Sequence, residues 1–143
     1  MQNDFNDLVD AGINALGQDE PLKALSLLER AARLGSSPIL SSSLAYCLAR
    51  ERGQVKTGRR TCEELIDSDP QNPFHHLNLG RILLLENDRS AAIDAFRRGM
   101  TLEPHPQIID QLNLLGVRKP QILPFLARDN ILNKYLGLLF KRG

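Results

Sequence analysis

Small and apolar positions recur along this chain at an interval of 34 residues. In the clearest copy Leu79 and Gly80 stand together, Leu83 follows one turn later, Ala92 and Phe96 fall on a second segment, and Pro104 closes the unit. The preceding copy offers Ala45 and Tyr46, then Ala49, Gly58, Cys62 and Pro70. The first copy offers Ala11 and Gly12, then Ala15, Ala24, Leu28 and Ser36. Small side chains at Gly12, Ala45, Gly80, Ala24 and Ala92 would let two antiparallel helices approach closely, and Leu28, Cys62 and Phe96 would fill the space between successive hairpins.

Boundary signals agree with this spacing. Ser37-Pro38, Asn72-Pro73 and His105-Pro106 each set a capping side chain before a proline, which a first helical turn tolerates because its missing N–H has no partner there anyway. Gly17, Gly35, Gly53, Asn87 and Gly116 follow the apolar stretches, where a left-handed C-terminal cap is wanted. The pattern predicts helices over 4–16, 20–34, 38–52, 55–68, 73–86, 89–102 and 106–115, the last covering the exposed face of the third hairpin.

The motif His76-x2-Leu79-Gly80-x2-Leu83, with Ala92-x3-Phe96 and Pro104, resembles the tetratricopeptide repeat, whose pattern is W-x2-L-G-x2-Y, then A-x3-F, then P. Three copies cover residues 5–106, and the second departs from the pattern with Tyr46 in a small-residue place and Gly58 in an alanine place. The resemblance implies an all-α, right-handed superhelix of three hairpins over 1–116, including a capping helix. It also implies a concave surface, lined by the first helix of each hairpin, that binds a protein partner. Helical spacing places Asn6, Val9, Ile13 and Leu16 on that wall, then Leu40, Ser43, Cys47 and Arg50, then Phe74, Leu77, Asn78, Arg81 and Leu84. The wall is largely apolar, with Arg50 and Arg81 as cationic points, which suits an apolar peptide segment or an amphipathic helix. The family's grip on terminal carboxylates needs Lys, Asn and Arg, where this chain has Val9, Ile13, Leu44, Phe74 and Asn78, so that activity is not implied.

Residues 117–143 break the pattern. Pro120 and Pro124 push their neighbours away from helix, predicting an extended stretch. Asp129 then reads as an N-cap before Ile131, Leu132, Tyr135, Leu136, Leu138, Leu139 and Phe140, an amphipathic helix expected to pack on the domain. Two alternatives are pairing with a second subunit, which would make the protein a structural homodimer, and lying on an anionic membrane.

Composition narrows the class. An apolar fraction of 42% and a charged fraction of 24% are those of a folded domain, and the length fits one. The net charge of +1 hides an asymmetry: residues 1–116 carry twelve basic and sixteen acidic side chains, and residues 117–143 carry six basic ones against Asp129 alone. Two cysteines, Cys47 and Cys62, are too few for a disulfide framework and predict a cytoplasmic setting. The acidic amino terminus predicts no export signal, and no run reaches the roughly 18 apolar residues of a membrane span.

Candidate chemistry is sparse. His75, His76 and His105 are the only imidazoles, and adjacent residues on a helix do not readily face one ion, so neither a metal nor a cofactor is expected. No P-loop, GxGxxG, HExxH or GxSxG occurs, which predicts a protein that is not an enzyme. Arg50, Arg52, Lys56, Arg59 and Arg60 form the densest basic cluster. Glu63, Glu64, Asp67 and Asp69 follow it at once, and aromatics make up only 5% of the chain, so a solvated face is expected rather than nucleic-acid binding.

Overall fold

The computed structural model of the protein describes residues 2–117. Among these it has seven helices and no strand: α1 (Gln2–Gly17), α2 (Pro21–Ala32), α3 (Pro38–Arg52), α4 (Val55–Ser68), α5 (Pro73–Leu85), α6 (Arg89–Leu102) and α7 (Pro106–Leu114). Each element lies within two or three residues of its expected place. The extended stretch and amphipathic helix expected after Val117 lie outside the described residues.

The starts are set by the side chains that the sequence marked. Ser37 Oγ accepts the Leu40 N–H at 3.2 Å, Asn72 Oδ1 accepts that of Phe74 at 3.0 Å, and His105 Nδ1 accepts that of Gln107 at 3.1 Å. Asp88 performs the same task for α6 by accepting from Ala91 at 3.2 Å. Each such cap satisfies a donor that the helix itself leaves unpaired.

Two of the expected left-handed caps are not left-handed. Gly53 (φ 70°), Gly116 (φ 74°) and Asn87 (φ 60°) turn the chain as expected, but after α1 that conformation falls to Asp19 (φ 57°) rather than Gly17, and Gly35 does not adopt it either. Both are contact glycines. A Cβ on Gly17 would come within 2.6 Å of Gln107 Nε2, and one on Gly35 within 3.2 Å of the Phe5 ring.

Helices pack in sequence pairs, α1 on α2, α3 on α4 and α5 on α6, and the pairs are joined through α2–α3, α3–α5 and α4–α5, with α7 on α6. Short connections make each pair antiparallel. Gly12 and Gly80 let the first and third pairs close: a Cβ would meet Leu28 at 2.5 Å and the Phe96 ring at 2.3 Å. Leu28 and Phe96 therefore fill the space inside their own pairs, over the glycine, rather than between pairs. Both are fully buried, a contribution of about 1.5–3 kcal/mol for each such side chain.

The interior divides into two clusters. One runs from Phe5 and Val9 through Leu28, Leu40 and Cys47 to Cys62 and ends at Ile82. The other gathers Leu77, Phe96, Met100, Ile108, Ile109 and Leu112. Helix α5 supplies Ile82 to the first and Leu77 to the second.

Candidate functional site

The odd-numbered helices α1, α3, α5 and α7 meet around one cleft. Its origin is a chain of buried polar side chains that runs across them. Asn78 Nδ2 donates to Ser42 Oγ at 3.1 Å and Ser43 Oγ at 3.3 Å, tying α5 to α3. Asn78 Oδ1 in turn accepts from Arg81 Nη1 at 3.2 Å, and Arg81 Nη2 donates to Gln107 Oε1 at 3.0 Å, tying α5 to α7. Gln107 Nε2 then donates to the Ile13 carbonyl at 3.1 Å, which brings α7 onto α1. The contact needs Gly17, whose missing side chain leaves room for the Gln107 amide.

This network and the apolar core together close most of the expected wall. Val9, Leu40, Ser43, Cys47, Leu77, Asn78 and Arg81 are buried. Ile13, Phe74 and Leu84 are half-buried, and Asn6 and Arg50 are exposed. Phe74 is covered in part by His105, whose ring meets it edge-on with centroids 4.5 Å apart. Asn6, Ile13, Arg50, Phe74 and Leu84 keep the largest exposed surface of the wall, while Leu16 and Arg81, though buried, line the cleft at its end.

What stays open lies where the carboxyl ends of the four helices converge. There a cleft of roughly 630 Å³ is lined by Leu16, Gly17 and Asp19, by Tyr46 and Arg50, by Arg81, Leu84 and Leu85, and by Asp110, Gln111, Asn113 and Leu114. Leu85 and Leu114 are 37% and 81% exposed, so large apolar side chains stand in water at its edge. Tyr46 sits at the position of Gly12 and Gly80 in the repeat, and the reason for that departure is visible: the Arg81 guanidinium lies over its ring, 5.5 Å from the centroid. Arg50 donates to the Tyr46 hydroxyl at 3.0 Å and to Asp19 at 3.2 Å.

Burial pulls the Arg81 guanidinium down to about 10, while Tyr46, Cys47 and Asp19 act in the opposite direction. It stays charged at neutral pH. Burial also pushes the thiols of Cys47 and Cys62 up to about 12, so both are protonated and poor nucleophiles.

A second polar cluster stands at the start of α5. His75 is fully buried with Nε2 2.8 Å from Asp69 Oδ2, and its Nδ1, like that of His76, has no hydrogen-bond partner. Among the described residues no group of three His, Cys, Asp or Glu is placed to hold a metal ion. Members of the basic cluster pair with acids from other helices or loops: Arg50 with Asp19, Arg52 with Glu29, and Arg59 with Glu86.

Sequence reasoning found Leu16, Arg50, Arg81 and Leu84 of the cleft but missed Gly17, Asp19, Tyr46, Leu85 and the whole contribution of α7. One signal was present. The His105-Pro106 start repeats those at Ser37-Pro38 and Asn72-Pro73, marking α7 as a further helix of the same row as α3 and α5. No known family model matches the chain, and no curated protein matches it. Among the described residues no helix is long and apolar enough to cross a membrane.

Proposed function

We propose that the chain is a protein-interaction module of the tetratricopeptide type, a right-handed superhelix that binds an apolar segment of a partner protein at the carboxyl end of its inner row of helices. The reading is supported by the 34-residue recurrence and by the repeated glycine contact, Gly12 against Leu28 and Gly80 against Phe96. The observation that carries it is the cleft at which α1, α3, α5 and α7 converge, with Leu85 and Leu114 exposed on its edge. Covering such side chains is worth about 25 cal/mol per Å² of apolar surface before ordering costs.

The test is a selection on the intact chain from a library of short random peptides displayed through their carboxyl ends. The expected result is a family of apolar sequences whose binding is lost in Leu114→Asp, a substitution at a largely exposed site that the fold tolerates. Selected peptides that bind Leu114→Asp equally well would place recognition elsewhere. An empty selection, with sedimentation showing a dimer of the intact chain, would favour the structural homodimer instead.

A further inference from the structure

Arg81 is a charged side chain only 5% exposed, and it lines the cleft. Its hydrogen bonds go to neutral oxygens, Oδ1 of Asn78 and Oε1 of Gln107. A guanidinium carries five N–H donors, so two bonds leave donors in hand. The acid that acts on it is Asp19, but the close contact of Asp19 is to Arg50, at 3.2 Å, and its side chain is 79% exposed. A buried cation is costly unless a counter-charge meets it, and among the described residues the close partners of Arg81 are two amides and an aromatic ring.

We infer that the segment bound in the cleft carries one internal Asp or Glu side chain, set among apolar residues, whose carboxylate meets the Arg81 guanidinium. The inference rests on the function proposed above and adds the chemistry of the occupant. Leu16 of α1, Leu84 and Leu85 of α5 and Leu114 of α7 line the same cleft as Arg81. A bound chain that reaches the guanidinium therefore also meets apolar side chains of three helices, which an internal acid with apolar neighbours satisfies. Planar donors of this kind hold a carboxylate through two parallel bonds.

The rim limits the number of acids to one. Four helices end there, and the carboxyl end of a helix carries partial negative charge that favours cations. Asp19 and Asp110 line the same rim. That field fades within the last turn of a helix, and Arg81 stands a full turn before the end of α5 at Leu85. An acid is thus drawn only to the floor; elsewhere in the ligand apolar or basic residues fit better.

The peptides selected on the intact chain test this directly, because fusion of their carboxyl ends leaves only side-chain carboxylates available. The expected outcome is a single enriched acidic position with apolar neighbours. Changing that acid to its amide should weaken binding to the unaltered chain by about tenfold or more, the scale of a lost buried charge pair. In Arg81→Gln, checked for folding by its thermal transition, the acid and amide peptides should bind alike. Apolar peptides with no acidic position, or acid and amide forms of equal affinity for the unaltered chain, would overturn the inference while leaving the apolar cleft standing. The second comparison needs no variant, so a misfolded Arg81→Gln does not blunt the test. An empty selection would remove both readings together.

Discussion

His76 shows how one buried side chain makes the stability of the whole protein depend on pH. It is 8% exposed, its Nδ1 has no partner, and a Cβ on Gly99 would lie 3.2 Å from its own Cβ, so it sits in the contact between α5 and α6. Burial first, then Arg98 and His75, pull its protonation below the ordinary value of 6.5. The unfolded chain therefore takes up the proton at a higher pH than the native one. Stability is complete above about 6.5 and is lost as pH falls from there toward the lower native value, with about 1.4 kcal/mol at stake for each unit of separation. Other groups also contribute to the pH dependence of stability, so the informative quantity is a difference. Thermal midpoints followed from pH 8 to 5 should fall more steeply for the natural chain than for His76→Leu. Parallel curves would show that the His76 proton is not linked to folding. Asp69, held below its usual 3.8 by hydrogen bonds from His75 and Asn72, makes a separate contribution that is present above that value and is lost only at more acid pH.

At the scale of elements, the helix starts and ends were legible because they depend on a few neighbouring residues. Ser37, Asn72 and His105 cap because each precedes a proline and carries an acceptor, a fact contained in two adjacent letters. Gly17 and Gly35 misled because a glycine after an apolar stretch can serve a turn or a close contact, and the letters are the same. The wall suffered from the same limit. Helical spacing told which face Ser43, Leu77 and Arg81 share, but not that Gln107, 94 residues from Ile13, would tie α7 to both Arg81 and α1. Gln107→Leu measures the weight of that tie. It removes the second donor to the Ile13 carbonyl, which α1 itself already engages, and leaves an Arg81 N–H without its partner, a cost of about 1–3 kcal/mol for a buried group left unsatisfied. Hydrogen exchange should speed up by about tenfold or more for amides of α7 and the last turn of α1, while α3 and α4 keep their protection. Uniform acceleration along the chain would mean that Gln107 supports the fold at large and holds no particular helix.

Among the described residues, the interior of the molecule is two apolar clusters that meet at α5. Ile82 is fully buried in the first cluster, its Cδ1 3.2 Å from where a Gly58 Cβ would stand, and Leu77, on the same helix, is fully buried in the second. Arrays of stacked helices unfold as one unit only while the contacts between neighbours outweigh the tendency of each part to open alone. Helix α5 makes that contact with both α3 and α4, and Gly58 leaves room on α4 for the Ala45 carbonyl of α3, 2.9 Å from where its Cβ would stand, and for Ile82 of α5. Ile82→Ala removes the side chain at this junction and should cost about 2–5 kcal/mol, the range for an emptied core position. The loss falls on the coupling between clusters more than on either cluster, so the urea transition should broaden as well as move, with helix signals of α5–α7 lost before those of α1–α4. A midpoint that moves while the slope stays the same would mean that the clusters remain one cooperative unit, held together by the Asn78 bonds to Ser42 and Ser43 rather than by apolar contact at Ile82.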